Sequence, residues 1–315
     1  MKEIKIDFRY FWKNFNKENN LFINLLKQEY KVTLSQDPEF VFFSSFKNKN
    51  TLKMPTIDGD FVKIFYTGEN CRPEMNKCDY AFTFDYDEKI NNPRHLRLPL
   101  YTFHGAGEDL IKNFNSKQTE QLAKGKKQFC AYVYSKDTKE RTEIFNKLSK
   151  YKKINAPGKS MNNQEPLSEN KLIQLIGKIE RKTTGKNQIG GLLSRHFEDY
   201  EKTKVNFLKS HKFTIAFENS SYPGYTTEKM YHPMLANSIP IYWGNPDIDR
   251  DFNTKSFINY HEYNDMNKVI DKVIELDNNE KKYIKMLQKP WYKNNKPSKY
   301  VDRIIIMNRL KKIFG

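Results

Sequence analysis

Short apolar stretches alternate with amphipathic segments along the first hundred residues. Ile4, Ile6 and Phe8 alternate with polar residues, which is the period expected of a strand with one buried face. A helix start and further strand-like runs then follow in the order Leu21–Leu26 (helix), Val32 with Leu34, Phe40–Phe43, Phe61–Tyr66, Cys78–Phe84 and Leu96–Leu100. Strands alternating with helices are typical of βαβ units, so the pattern predicts an α/β fold with a mostly parallel sheet.

The second half of the chain repeats this alternation. Phe129–Tyr134 predicts a strand, and Ser135 or Asp137 is the predicted N-cap of a helix through Phe145 and Leu148. Residues 155–190 are rich in Asn, Lys, Gly and Ser, with one amphipathic piece, and are predicted to be an insertion. Further helices are predicted at Leu192–Leu208, Asp265–Leu276, Asn279–Leu287 and Val301–Phe314.

The stretch 213–242 is predicted to form a strand, a polar loop, a helix and another strand. Its apolar runs are Phe213–Phe217 and Ile239–Tyr242. Between these runs lie the turn formers and breakers Glu218, Asn219, Ser220, Ser221, Pro223 and Gly224, then the N-cap candidates Thr226 and Thr227. Pro233 should kink or shorten the helix. In open α/β sheets, ligands collect at the carboxyl ends of strands, where this loop would lie.

The charges of this loop allow two interpretations. Glu228 suits the first turn of a helix, whereas Lys229 faces the positive end of the helix dipole, which costs roughly 0.3–1 kcal/mol. A bound anion would reverse that sign, because free N–H groups at a helix start together with an ammonium group suit a phosphate. Alternatively, Lys229 reaches into water.

Composition narrows the class of protein. The 315 residues fit two domains, with a boundary predicted near residues 108–126. The net charge of +17, from 55 Lys and Arg against 38 Asp and Glu, suggests anionic partners such as nucleotide phosphates, nucleic acid or an acidic membrane. The basic residues are spread along the chain and the aromatic residues fall within strand patterns, which disfavours a nucleic-acid-binding protein.

No apolar run is long enough to predict a membrane span, and the first residues lack the apolar region of a signal peptide. We therefore expect a cytoplasmic protein. The basic amphipathic segment 301–314 predicts either a helix packed across the domains or peripheral contact with a membrane. Cys71, Cys78 and Cys130 are expected to be free thiols, although a Cys71–Cys78 disulfide stays open and zinc is disfavoured.

Three strings resemble ligand motifs without completing them. In the glycine-rich GAGEDL, Leu110 occupies the third glycine position, and Lys153 replaces the first glycine of a phosphate loop ending at Lys159 and Ser160. Asp247, Asp249 and Asp251 form a D-x-D-x-D string that could hold Mg²⁺ or Mn²⁺. We disfavour that site because of its flanking sequence.

Two longer motifs resemble the α1,3-fucosyltransferases, glycosyltransferase family 10. They are FENSSYPGYTTEK with IPIYWGNPDIDRDFNTKSFIN, similar to that family's donor-binding signature, and upstream IFYTGEN, similar to its N-terminal motif. The resemblance implies a GT-B fold, with two Rossmann-like domains facing across a cleft. The corresponding segments would be 1–115 for the acceptor, 120–297 for the donor and 298–315 as a C-terminal helix. The heptad repeats of bacterial relatives are not visible, so oligomeric state stays open.

The resemblance also implies residue roles. Glu69 would be the catalytic base. Without the resemblance, Glu69 would be interpreted as a solvated acid of a loop, and Arg141 as a surface arginine. The implied donor-binding residues for GDP-β-L-fucose are Arg141, Asn219, Tyr225, Glu228 and Lys229. No metal is required, although Mg²⁺ or Mn²⁺ could stimulate. The acceptor would be a Lewis-type glycan containing N-acetylglucosamine, with α1,3 or α1,4 linkage open. Alternatives are another nucleotide-sugar glycosyltransferase, a nucleic-acid binder or a non-catalytic carbohydrate-binding protein.

Overall fold

Two parallel β-sheets organise the chain. The structure is a computed structural model that describes residues 1–47, 52–105, 107–168, 170–185, 188–197 and 199–315. All pairings between neighbouring strands in both sheets are parallel. Parallel strands require crossover connections, and several of those here carry helices that cover the sheets. The predicted α/β fold with parallel sheets is confirmed.

The N-terminal sheet has six strands in the order β2-β1-β3-β4-β5-β6. They are β1 (Lys2–Arg9), β2 (Tyr30–Leu34), β3 (Phe40–Phe43), β4 (Val62–Tyr66), β5 (Tyr80–Thr83) and β6 (His95–Arg97). The helices of this half are α1 (Leu21–Leu26), α2 (Asp87–Ile90) and α3 (Leu100–Phe103). Asn20 caps α1 by accepting hydrogen bonds from the N–H groups of Phe22 and Ile23. Apolar side chains of α1 and the strands form the core of this half.

The C-terminal sheet has five strands in the order β11-β10-β9-β7-β8. They are β7 (Gln128–Ala131), β8 (Ile154–Asn155), β9 (His211–Phe217), β10 (Ile239–Trp243) and β11 (Ile258–Asn259). The helices are α4 (Ser116–Gly125), α5 (Lys139–Leu148), α6 (Lys171–Thr184), α7 (Ile189–Phe197), α8 (Tyr200–Leu208), α9 (Glu228–Leu235), α10 (Tyr260–Tyr263), α11 (Met266–Asn278), α12 (Glu280–Leu287) and α13 (Arg303–Phe314).

Two local predictions at the start of this half are wrong. Strand β7 ends at Ala131, short of the predicted Tyr134. The carbonyl of Tyr134 instead accepts from the N–H of Ser160, and the Tyr134 hydroxyl donates to the carbonyl of Ile215. The N-cap of α5 is Thr138, not Ser135 or Asp137. Its hydroxyl accepts from the N–H of Arg141, as an N-cap side chain does.

Helix α13 crosses back to the N-terminal sheet. Its buried side chains join the core of that half: Ile306, Met307, Leu310, Ile313 and Phe314. The ammonium of Lys2 donates to the carbonyl of Phe314 at 2.7 Å. The packing role is therefore confirmed, and the face that membrane contact would need is largely occupied. In the part of the chain that the structure describes, no helix combines the length and apolar character of a membrane span.

The three thiols are free and buried. Burial raises the pKa of Cys71 to about 11 and that of Cys78 to about 12, so both are protonated at neutral pH. Thiols in that state react slowly. The prediction of free thiols is confirmed.

One buried ion pair joins the two halves. Both nitrogens at the end of Arg97 donate to the Asp251 carboxylate, at 2.7 and 2.8 Å, and the Tyr101 hydroxyl adds a bond of 3.0 Å. Arg97 and Asp251 side chains are fully buried. Burial alone would lower the pKa of Arg97, but the Asp251 carboxylate outweighs it and the pKa is raised. The pair fixes the end of the N-terminal sheet against the loop after β10.

Candidate active site

The site is built around the start of α9, directly after β9. Thr227 is the N-cap, and its hydroxyl accepts from the N–H of Lys229. This confirms one of the two predicted cap residues. The helix runs from Glu228 to Leu235 with Pro233 inside it, so the proline does not end the helix. A helix start that lies at the carboxyl end of a parallel strand directs N–H groups toward the cleft.

Glu218 holds this helix start in place. Its carboxylate is fully buried and accepts from the Thr227 N–H at 2.8 Å and from the Thr227 hydroxyl at 2.8 and 2.9 Å. Burial raises the pKa of Glu218, while the Lys229 ammonium opposes that rise. Gly244 makes room, because a Cβ atom there would lie 2.5 Å from the Glu218 side chain. The sequence prediction missed this role and treated Glu218 as a turn former.

Lys229 is paired and largely buried. Its ammonium lies 3.2 Å from Glu228 and 3.5 Å from Glu218, and donates to the Thr227 hydroxyl at 3.1 Å. Burial alone would lower the pKa of Lys229, but these two carboxylates outweigh it and the pKa is raised. Conversely, burial alone would raise the pKa of Glu228, but the charges of Lys229 and Lys204 outweigh it and hold that pKa well below its usual range. The interpretation that Lys229 reaches into water is wrong.

Arg141 is also buried, so the surface-arginine interpretation is wrong. Its Nε and Nη2 atoms donate to the carbonyl of Phe217 at 3.2 and 3.0 Å, and Nη1 donates to the carbonyl of Lys136 at 3.1 Å. The guanidinium stacks over the Tyr134 ring at 4.2 Å. These contacts place the guanidinium at the end of β9. There its positive charge acts to lower the pKa of the nearby Lys229 ammonium. Two cations therefore meet at one strand end.

Asn219 and Tyr225 bracket the loop between β9 and α9. Asn219 is exposed and Tyr225 is buried. Burial raises the pKa of Tyr225 well above its usual range, and the charges of Glu218, Glu69 and Glu228 add to the rise. All the predicted donor-binding residues thus lie around the end of β9 and the start of α9.

Glu69 faces this group from the N-terminal half. It follows β4, and its N–H donates to the Thr67 hydroxyl at 3.0 Å. The next residue, Asn70, donates across the cleft to the Ser220 hydroxyl at 2.8 Å. The Glu69 side chain is half-buried. Burial raises the pKa of Tyr66 in the same half, and the charge of Glu69 adds to that rise. The charge of Glu69 also contributes to the raised pKa of Tyr225 in the other half. Glu69 is not a freely solvated acid.

Close backbone approach holds the two loops together. Gly224 has φ of +85°, and a Cβ atom there would lie 2.6 Å from the carbonyl oxygen of Phe84 in the other half. The Asn245 side chain accepts from the Gly224 N–H at 2.7 Å and donates to the Thr226 hydroxyl at 3.1 Å. The WGNP segment therefore fixes the loop that carries Tyr225.

The D-x-D-x-D string does not assemble a metal site. Asp251 is committed to Arg97, and exposed Asp249 pairs with Lys293 at 3.3 Å. Among the described residues, the one group with metal-ligand spacing is His104, Glu201 and His232, which the sequence prediction missed. These residues come from three distant parts of the chain and share no motif.

Two α/β halves with parallel sheets, one presenting an acid and the other cations at a helix start, have the architecture of GT-B glycosyltransferases. Family models agree with this class. A model for the α-(1,3)-fucosyltransferase FucT N-terminal domain matches residues 6–104, and one for the glycosyltransferase family 10 (fucosyltransferase) C-terminal part matches residues 123–307. The chain belongs to glycosyltransferase family 10.

Individual proteins show the same likeness. The chain is 31% identical to α-(1,3)-fucosyltransferase FucT of Helicobacter pylori over 277 residues, which are 86% of this chain and 56% of that protein. It is 36% identical over 85 residues to α-(1,3)-fucosyltransferase B of Drosophila melanogaster, covering 27% of this chain and 19% of that protein. The chain thus spans about half the length, or less, of these relatives. A crystal structure of an α1,3-fucosyltransferase with GDP-fucose has the same fold, with a TM-score of 0.72, 23% identity and coverage of 99% of this chain and 91% of that one.

Proposed function

We propose that this protein transfers L-fucose from GDP-β-L-fucose to a hydroxyl group of an acceptor glycan containing N-acetylglucosamine, with α1,3 linkage and with α1,4 left open. One observation carries the proposal. Glu69 of one half faces a helix start flanked by Lys229 and Arg141 of the other half, on a chain that belongs to a fucosyltransferase family. The GDP-fucose bound in the similar crystal structure supports the choice of donor.

The diphosphate would lie at the start of α9. Lys229 and Arg141 supply positive charge there, and the helix N–H groups add hydrogen-bond donors. Asn219 and Tyr225 would contact the diphosphate side, and Glu228 would accept from hydroxyls of the ribose or the fucose. Cations fixed before the reaction stabilise the charge that develops on the departing GDP.

The proposed reaction is a single displacement with inversion. Glu69 accepts the proton of the acceptor hydroxyl while that oxygen forms its bond to the anomeric carbon of fucose. The bond from that carbon to the phosphate oxygen breaks through an oxocarbenium-like transition state, and its electron pair leaves with GDP. No covalent enzyme intermediate is needed, because the acid and the leaving group lie on opposite sides of the cleft.

Glu69→Gln tests the base. The amide keeps the shape of the side chain but cannot take a proton, so transfer to a glycan acceptor should fall by about 100-fold or more. GDP affinity, measured by calorimetry, should stay near that of the original protein. The matched control is Glu74→Gln, an exposed acid of the same loop that pairs with Lys77, and it should keep transfer.

Loss of GDP affinity together with transfer would assign Glu69 a structural role and contradict the proposal. A panel of donors separates the main alternative. Transfer from a UDP-sugar but not from GDP-fucose would favour another nucleotide-sugar glycosyltransferase. A panel of Galβ1,4GlcNAc and Galβ1,3GlcNAc acceptors would then identify the acceptor and the linkage.

A further inference from the structure

A second cluster of polar side chains lies beside the donor site. His104 follows α3 of the N-terminal half, Glu201 is in the first turn of α8, and His232 is in α9. The Glu201 carboxylate is 2.8 Å from Nδ1 of His104 and 3.9 Å from Nε2 of His232. The three ligand atoms lie within 4.8 Å of one another. The trio therefore joins three elements and both halves of the chain.

These residue types and spacings suit a transition metal. Two imidazoles and a carboxylate are a ligand set that zinc uses, with bonds of about 2.0–2.2 Å and therefore ligand atoms roughly 3.4 Å apart. The separations of 2.8 and 3.9 Å fall on either side of that value. Small rotations of the Glu201 side chain would adjust both of these separations, and the third separation, between the two imidazoles, is within 4.8 Å.

The surroundings give further support. His232 is 2% exposed, and its Nε2 atom faces the Glu201 carboxylate, so this imidazole reaches the cluster from a buried position. The Glu201 side chain is 52% exposed, and His104 and Glu201 line a cavity of about 370 Å³, which offers an ion a path and room for a fourth ligand.

Nearby charges do not exclude a cation. Lys204 and Lys229 lie close enough to act on His232, but the Glu228 carboxylate acts on it with opposite sign. Glu201 itself adds a second negative charge. These two acids offset the two ammonium groups, and the Arg303 guanidinium adds one positive charge at the cavity wall.

We propose that His104, Glu201 and His232 bind one divalent transition-metal ion of the Zn²⁺ class. The ion ties the end of α3 to α8 and α9 and thus fixes one half against the other. His232 lies one helical turn after Glu228, so the ion also steadies the helix that begins the donor site. This site is independent of the proposed transfer reaction, and its ligands are not assigned to the chemistry.

Metal titration of the full chain tests the proposal. After treatment with a chelator, calorimetry with Zn²⁺ should show one site, and Co²⁺ should give the visible absorption of a low-coordinate complex. Glu201→Gln and His232→Gln should each weaken Zn²⁺ binding by about tenfold or more, because each removes one of three ligands. His261→Gln is the matched control, since His261 bonds the carbonyl of Gly244 away from the trio, and it should bind Zn²⁺ unchanged.

Thermal unfolding provides a second measurement. Zn²⁺ should raise the melting temperature of the original chain and of the His261 control but not that of the Glu201 variant. Circular dichroism shows whether each variant is folded, and Glu201 is exposed enough for its substitution to preserve folding. Absence of Zn²⁺ and Co²⁺ binding, or binding that survives both ligand substitutions, would overturn the proposal. None of these measurements depends on fucosyl transfer.

Discussion

At the scale of single residues, the proposed donor site is a set of buried charges that satisfy one another. Lys229 touches two carboxylates, and Glu218 in turn holds the N-cap Thr227. Buried charges persist only when they are paired and hydrogen-bonded. A diphosphate that enters here meets a lysine already fixed by its neighbours, so little side-chain freedom is lost on binding.

Removal of the Lys229 charge should weaken nucleotide binding. We expect Lys229→Ala to reduce GDP affinity by about 1.5–3 kcal/mol, the range for a hydrogen bond to a charged group. Arg141→Ala should act in the same direction. Calorimetry with GDP measures the effect, and Lys293→Ala, an exposed lysine paired with Asp249, serves as the control. Unchanged affinity in Lys229→Ala would remove the phosphate assignment.

At the scale of elements, helix ends are fastened to strands by single side chains. Asp277, in the last turn of α11, receives hydrogen bonds from Lys212 of β9 at 2.7 Å, and from Lys152 and the Tyr151 hydroxyl at 3.0 Å each. The Asp277 side chain is 2% exposed. Burial alone would raise the pKa of Asp277, but the two lysines outweigh it and the pKa is lowered. This carboxylate therefore stabilises the fold in its charged form.

Because folding lowers the pKa of Asp277, the contribution of this residue to the free energy of unfolding depends on pH. The unfolded chain binds the proton more readily, so the contribution is present above the ordinary value of 3.8 and is lost as the pH falls through the lower folded value. At pH 7, Asp277→Asn should lower the free energy of unfolding by about 1.5–3 kcal/mol. Urea unfolding at several pH values should show the gap between variant and original narrowing below pH 3.8. If the difference in unfolding free energy between the two proteins stayed constant down to acid pH, the charge of Asp277 would not be the source of its stabilising effect.

At the scale of the whole molecule, the cleft depends on contacts between the halves. Arg97 and Asp251 pair in full burial, Gly224 approaches the backbone of the other half, and α13 returns to the first sheet. Together they set the distance between Glu69 and the start of α9. The geometry that the proposed transfer needs is thus a property of the two halves combined.

Breaking the Arg97–Asp251 pair should be costly. Asp251→Asn leaves the Arg97 charge buried without its counter-ion, and we expect a loss of about 3–5 kcal/mol in the free energy of unfolding. Asp249→Asn, two residues earlier and exposed, should change that free energy by less than about 0.5 kcal/mol. Urea unfolding compares the two variants. Equal small effects would show that the pair does not hold the halves together.

The sequence predicted the elements better than their ends. The apolar runs located β1, β3, β4, β9 and β10, because a buried parallel strand needs continuous or alternating apolar residues wherever it lies. Strand β7 was predicted to extend too far, since Tyr134 finds its partners in distant segments. The cap of α5 was placed at Ser135 or Asp137, whereas the Thr138 hydroxyl accepts from the N–H of Arg141. The roles of the predicted site residues stay predictions until the variants are measured.

What the sequence determined by itself was local: the α/β alternation, the polar loop after β9, a helix cap at Thr226 or Thr227, and two motifs that signal the family. Tertiary structure decided which charges meet. Asp251 belongs to the D-x-D-x-D string, which resembles a metal-binding motif, yet its partner is Arg97, 154 residues away. Glu218 became a buried anchor only because Gly244 leaves space for it, and His104, Glu201 and His232 meet only once three elements pack. Spacing along the chain controls turns and caps, whereas burial and pairing depend on residues that folding brings together.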